Sequence, residues 1–204
     1  MNTNTPTENQ NHFLNMSSPE SWIERFAPLI AKNGQVLDLA CGGGRHSDLL
    51  LKQNHYVTAI DLRTQTITER LTGRDNLSII TADMEDGCDI FADAGVLAGR
   101  QFDGIVVVNY LYRPLFPGLL AALKPNGVFL YETFARENEK YARPRNPDHL
   151  LEAGELLERV AGHLQIIAYE HGMVNACGGI GVKQRIAAIN SLEPCKLEDL
   201  YKVD

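Results

Sequence analysis

The chain has only four cysteines in 204 residues, and Cys41, Cys88, Cys177 and Cys195 include no C-x-x-C pair. That excludes a disulfide framework, a zinc ribbon and a thioredoxin-type redox motif. None of the six histidines stands at metal-ligand spacing from another, so no metal site is expected. No run approaches the roughly 18 apolar residues that a membrane span requires. The start, MNTNTPTENQNH, lacks the charged-then-apolar signature of a secretion signal, and a soluble cytoplasmic protein is expected. Basic residues are in deficit, 19 Lys and Arg against 26 Asp and Glu, for a formal charge of −7. Such a balance speaks against a broad phosphate-neutralising face, so nucleic acid is an unlikely partner. There is no internal repeat and no domain linker.

What is present is globular. A hydrophobic fraction of 44% with 22% charged residues can bury a sizeable core. Residues Met1 to Met16, rich in Asn and Thr, read as a flexible tail, and residues 17–204 as a single domain. Ser17-Ser18-Pro19-Glu20 has the composition of a helix start. Trp22, Ile23, Phe26, Leu29 and Ile30 then follow at helical spacing. Strands are expected at Val36 to Ala40, Tyr56 to Ile60, Leu77 to Thr81, Phe102 to Val108 and Val128 to Phe134. Helices are expected at Arg45 to Gln53, Arg63 to Leu71, Arg113 to Leu123 and Leu150 to Ala161, with a turn at Lys124-Pro125-Asn126-Gly127. Two last strands, Leu164 to Tyr169 and Gln184 to Asn190, have no helix-length pattern between them and must pair antiparallel. The expectation is five strand–helix units and a terminal hairpin in one sheet. That is a doubly wound, mostly parallel, seven-stranded α/β fold of Rossmann-like type with a C-terminal antiparallel hairpin.

The chemistry gathers at the end of the first strand. Asp38-Leu39-Ala40-Cys41-Gly42-Gly43-Gly44 links strand to helix with small residues that let a ligand approach the backbone. About twenty residues on, Asp61 ends the second strand where an acid would accept a ribose diol. Ala82-Asp83-Met84 follows the third strand, with an acid for an adenine amine and an apolar side chain for its ring. Gly42-Gly43-Gly44-Arg45-His46-Ser47 nearly satisfies a dinucleotide fingerprint, which keeps an NAD-dependent oxidoreductase open. Asp38 would repel a pyrophosphate yet attract an amino group or a sulfonium, so the sign of its charge favours S-adenosylmethionine.

VLDLACGGGRH, VTAID, TADM, FDGIVVVNYLYR and LKPNG, in that order, resemble a class I S-adenosylmethionine-dependent methyltransferase over Val36 to Phe134. The resemblance implies that Asp38 holds the methionine amino group, directly or through water. It further implies that Ala40, Cys41, Gly42 and Gly44 line the methionine and ribose, and that Asp61 grips the ribose with Leu62 against the adenine. Asp83 and Met84 would take the adenine, and Asn109 would face the methionine portion. Ala40 departs from the family's usual glycine. The stretches LLEAGELLERV, LQIIAYEHGMV and KQRIAAIN resemble, more weakly, the small tellurite-resistance methyltransferases, which implies a metalloid oxyanion as one acceptor.

Asn109-Tyr110-Leu111-Tyr112 is not the Asn/Asp-Pro-Pro-aromatic signature of amino-methylating nucleic-acid enzymes, so a small-molecule acceptor is expected. Its candidate walls are Tyr112, Tyr131, Phe134, Tyr141 and Arg143, with Tyr110, Glu132 and Arg145 beside them. Ala135 to Arg145 reads as a lid or substrate loop. Catalytic candidates are Glu132, Tyr110 and His171, with His46 a further proton acceptor, and the sequence singles out none of them. A nucleic-acid or protein methyltransferase and a non-catalytic cofactor-binding subunit remain alternatives. Size and acidity carry no information on oligomeric state.

Overall fold

A computed structural model describes residues Ser18–Ala176, Gly179–Ser191 and Glu193–Pro194. The tail at Met1 to Met16, the cap at Ser17, and Cys177 and Cys195 lie outside the described residues. The strands are β1 Gln35–Leu39, β2 Tyr56–Asp61, β3 Leu77–Thr81, β4 Phe102–Val108, β5 Leu123–Phe134, β6 Gln165–Ala176 and β7 Gly179–Ile189. They form one seven-stranded sheet in the order β3-β2-β1-β4-β5-β7-β6. β1 pairs parallel with both β2 and β4, so the chain reverses its direction of winding at β1. A crevice opens off the carboxyl ends of strands at such a point. β7 runs antiparallel to both of its neighbours, β5 and β6, and is the reversed strand of the hairpin.

Among the described residues, five helices cover the sheet: α1 Ser21–Phe26, α2 Arg45–Lys52, α3 Gln65–Arg70, α4 Phe116–Ala121 and α5 Glu155–Val160. Alternate strand residues point to opposite faces, and the apolar set divides accordingly. Leu37, Leu39, Ile105, Val107, Phe129, Tyr131 and Ile186 pack with Phe116, Leu119, Leu156 and Val160 under α4 and α5. Val36, Val57, Val106, Val128, Leu130 and Ala187 pack with Trp22, Ile23, Phe26, Leu50 and Ile67 under α1, α2 and α3.

The helices are shorter than their apolar patterns. At Arg113 to Leu123 a 3-10 turn, Arg113–Leu115, precedes α4, because Pro114 and Pro117 each remove an amide donor. At Leu150 to Ala161 only Glu155–Val160 is helical: Leu151 bridges Ala135, and Gly154 enters the helix at φ +79°. The expected turn at Lys124 to Gly127 stands inside β5 as a register break, with Phe102 opposite Leu123 and Gly104 opposite Val128.

Strict strand–helix alternation fails between β3 and β4, and this corrects the expectation of five strand–helix units. Asp83, Asp86 and Asp89 each accept the amide two residues on, at 2.8–2.9 Å, and so commit the crossover to successive turns. Gly95 closes it, since a Cβ there would lie 2.3 Å from the Ile90 carbonyl oxygen.

One ion-paired corner holds the segment after β5. Arg113 donates Nε and Nη2 to the two oxygens of the buried Glu155, each at 2.8 Å, and Arg159 Nη2 reaches Oε1 at 2.8 Å. Arg113 also donates to the carbonyls of Asp148 and Leu150, fixing the approach to α5. Burial alone would raise the Glu155 carboxyl, but donors from Arg113, the Glu152 amide and Arg159 pull it down from 4.5 to about 2.

Two outcomes follow for stability. Gly44→Ala forces a Cβ to within 2.6 Å of Ile67 at φ +76°, and the urea midpoint should fall by the equivalent of about 2–4 kcal/mol. The Glu155 contribution is complete above pH 4.5 and is lost as pH falls from 4.5 toward 2, each unit being about 1.4 kcal/mol. Arg113→Ala should flatten that acid limb in urea melts taken at stepped pH.

Candidate active site

The turn from β1 to α2 is wound through three left-handed residues: Ala40 at φ 57°, Gly42 at φ 54° and Gly44 at φ 76°. Gly44 is required sterically by Ile67. Ala40 occupies a region that costs a non-glycine residue about 1–2 kcal/mol, so the departure from glycine noted in the sequence is a local strain. The turn is nevertheless closed by bonds on every side. Cys41 donates its amide to the Ile60 carbonyl at 3.1 Å, and Gly44 donates to the Cys41 carbonyl at 2.9 Å.

Asp61, at the end of β2, joins the two strand ends. Its Oδ2 accepts the Gly42 amide at 2.9 Å and its Oδ1 the Arg63 amide at 2.9 Å. Each carboxylate oxygen retains a second lone pair. Leu62 beside it is 55% exposed, an apolar surface at the mouth of the crevice. Asp83 stands two residues beyond Thr81, the partner of Asp61 across β2 and β3, and is exposed. Met84 instead turns into the core.

Asp38 is buried, and its Oδ2 accepts the Ser47 hydroxyl at 2.6 Å. Burial pushes its carboxyl up from 3.8 to about 6, against the opposing pull of the Ser47 hydrogen bonds. Asp38 therefore braces the first turn of α2 from inside the turn. Cys41 is buried too, and burial together with the charges of Asp38 and Asp61 pushes its thiol up. Asn109 follows β4 at φ 58°, its amide donating to the Glu132 carbonyl at 2.8 Å. Its Oδ1 is buried and has no partner. Asp38, the Ala40–Gly44 turn, Asp61 and Asn109 thus stand together at the carboxyl ends of β1, β2 and β4.

The expected acceptor wall does not form a single surface. Tyr131 is a core residue, stacked on Phe116 at 5.2 Å, with its hydroxyl donated to the Tyr110 carbonyl at 2.8 Å. Its place on a strand buried on both faces accounts for this, and it is withdrawn as a substrate contact. Phe134 is buried, with the Lys183 ammonium 5.2 Å from its ring centroid. Tyr112 is half-buried against the core under α4 and α5. Tyr141 and Arg143 are exposed on the loop after β5. That loop is pinned from within, which argues against a swinging lid. Asn138, fully buried, accepts the Val182 amide at 3.0 Å and donates to the Pro144 carbonyl at 3.0 Å.

Sequence reasoning missed a buried ionic chain beneath the start of α1. Glu132 and Lys183 pair at 2.6 Å, Lys183 reaches Glu20 at 3.4 Å, and Glu20 pairs with Arg45 at 3.0 Å. Lys183 was legible as one of two cations, with Arg185, in an otherwise mostly apolar strand, but not its partners. His46 accepts the Glu20 amide at 3.2 Å through Nε2, and burial with the charges of Arg45 and Lys183 holds it well below its ordinary range. It anchors a helix start and is not placed to take a proton. Tyr110 has a buried hydroxyl, pushed up by burial and by Glu85 beside it. His171 is exposed on β6, the outermost strand. Among the described residues no cluster could hold a metal ion, and no helix is long and apolar enough to cross a membrane.

Residues 37–131 match the family described as Methyltransferase domain. A stretch of 114 residues is 28% identical to the ubiquinone biosynthesis O-methyltransferase of Histophilus somni (strain 2336), covering 53% of this chain and 48% of that protein. The chain spans about half the length of the curated relatives it matches. Among solved structures, TehB from Haemophilus influenzae superposes with a TM-score of 0.68 at 20% identity, over 86% of this chain and 64% of that one. A 1,6-didemethyltoxoflavin-N1-methyltransferase from Burkholderia thailandensis, with bound 1,6-didemethyltoxoflavin and S-adenosylhomocysteine, gives 0.55 at 20% identity, over 83% of this chain and 78% of that one. Over residues 37–131 this chain is similar to the methyltransferase-domain family, and its sheet has the fold of these solved methyltransferases.

Proposed function

We propose that this chain binds S-adenosylmethionine off the carboxyl ends of β1, β2 and β4 and transfers its methyl group to a small-molecule acceptor. The observation that carries the reading is Asp61, whose carboxylate is locked to the glycine turn through Gly42 while keeping lone pairs for a ribose diol. Residues suited to the cofactor surround it. Leu62 offers an exposed apolar face for the adenine, and Asp83 an exposed carboxylate for its amine. Ala40, Cys41, Gly42 and Gly44 supply a backbone that a ligand can approach. Asn109, just past β4, would face the methionine portion and the transferring methyl, with its Oδ1 left unpartnered by the protein. Asp38 acts on this group from behind, by fixing α2 through Ser47.

When bound, the cofactor supplies a methyl group already activated by a positive sulfur. The protein's contribution is then chiefly alignment, worth roughly 7–11 kcal/mol when the reacting atoms are held in line. The Histophilus somni and Burkholderia thailandensis relatives carry names of small-molecule methylation, which supports an acceptor of that size. The weaker likeness to tellurite-resistance methyltransferases leaves a metalloid oxyanion as the competing class of acceptor, to be decided by an acceptor panel.

Calorimetric titration with S-adenosylhomocysteine tests the cofactor assignment. The parent protein should bind, and Asp61→Ala should weaken binding at least tenfold, from the loss of charge-assisted bonds worth about 1.5–3 kcal/mol each. Equal affinity in the variant would remove the ribose assignment, and no binding to the parent would remove the cofactor.

A further inference from the structure

Glu132 stands opposite Val108 across β4 and β5, and its carbonyl accepts the amide of Asn109, the next residue. Its side chain shares the sheet face of Leu130, Val106 and Asp38, because each lies an even number of residues along its strand from the register pairs Asp38↔Val106 and Val106↔Leu130. The carboxylate is 1% exposed. Lys183, itself buried, grips Oε1 at 2.6 Å, while Oε2 is buried without any partner. A buried carboxylate oxygen left unpaired loses its hydration without compensation, and Asn109, whose amide bonds the Glu132 carbonyl, carries a second orphan in its Oδ1.

Both orphaned atoms can only accept hydrogen bonds. What completes them must therefore donate, as an O–H or N–H group does and a deprotonated oxyanion does not. The surrounding charges do not reverse this, since Lys183 and Arg45 are matched by Glu132 and Glu20 in the same chain of contacts. The other proton acceptors compare poorly. The Tyr110 hydroxyl is buried against ionisation, His46 is engaged by the Glu20 amide, and His171 lies two strands away at the sheet edge.

We propose that Glu132 is the catalytic base, that Lys183 is the positioning residue holding its carboxylate by the other oxygen, and that the acceptor is a small molecule presenting a neutral O–H or N–H nucleophile between Glu132 Oε2 and Asn109 Oδ1. The proposal rests on the cofactor reading above. In the step, the acceptor oxygen or nitrogen forms a bond to the methyl carbon, and the sulfur–methyl bond breaks with its electron pair left on sulfur. The acceptor's proton passes to Glu132 Oε2. The products are the methylated acceptor, S-adenosylhomocysteine and a protonated Glu132, which releases its proton to solvent.

The test uses the full chain with methyl-labelled S-adenosylmethionine and a panel of phenols, catechols, amines and amides, with selenite and tellurite alongside. Label should enter an O–H or N–H acceptor and neither oxyanion. Glu132→Gln should lower kcat about 10²–10⁴-fold, with the KM for acceptor within about threefold and S-adenosylhomocysteine affinity unchanged by calorimetry. Glu132→Asp keeps the charge but withdraws the carboxylate, and should fall between parent and Glu132→Gln. It serves as the second variant if Glu132→Gln does not fold. Transfer to selenite or tellurite, or to no O–H or N–H member, overturns the proposal. So does an unchanged kcat in the variants, which would mean that Oε2 is satisfied by a bound water only. If the parent fails to bind S-adenosylhomocysteine, the cofactor reading falls and takes this proposal with it. Binding with variant rates equal to the parent's removes the proposal alone.

Discussion

The Asp61 carboxylate receives the amides of Gly42 and Arg63, so the end of β2 and the turn leaving β1 are one hydrogen-bonded unit. That constraint sets the crevice. Backbone at Ala40, Gly42 and Gly44 is held in left-handed conformations that would relax in isolation, and the carboxylate stabilises the turn by satisfying an amide that the winding leaves unpaired. Ser47 adds a second tie from below, through Asp38. The packing of Ile67 against Gly44 adds a third, from the helix that follows β2. A ligand arriving here meets a rigid rim, and little ordering cost attaches to its binding.

The second organising element is ionic and lies on the other side of β1. Glu132, Lys183, Glu20 and Arg45 form a continuous chain of contacts linking β5, β7, the start of α1 and the first residue of α2. Buried pairs of this kind add little net stability over apolar packing, because removing two charges from water costs about as much as their attraction returns. They do impose register. With Lys183 committed to Glu132, β7 seats beside β5 in one alignment, and Glu20 fixes where α1 begins. The arrangement leaves Glu132 Oε2 and Asn109 Oδ1 buried without a protein partner. Within this cluster the paired oxygens hold the frame.

Local pattern carried much of this protein. The runs at Leu77–Thr81 and Phe102–Val108 are strands at their expected limits, and at Phe102–Val108 the reason is plain, since a parallel strand buried on both faces needs a continuous apolar stretch. The hairpin was legible from a missing helix, and the crevice from glycines beside acids at two strand ends. Helix lengths were not, since Pro117, Gly154 and the aspartates of the 82–101 crossover override periodicity through hydrogen bonds that a pattern does not count. Tyr131 shows the same limit for the site. Its aromatic ring suggested a wall, while stacking on Phe116 of α4 placed it in the core.

By itself, then, the order of residues determined the winding of the sheet, the place of its crevice and the sign of charge around it, because alternation, glycine freedom and formal charge are properties of short segments. Tertiary structure alone decided that Glu132 meets Lys183, that Asn138 pins the loop after β5, and that Asp38 faces Ser47. Each joins groups from separate elements, and the distance between two side chains is fixed only when the strands and helices carrying them have packed.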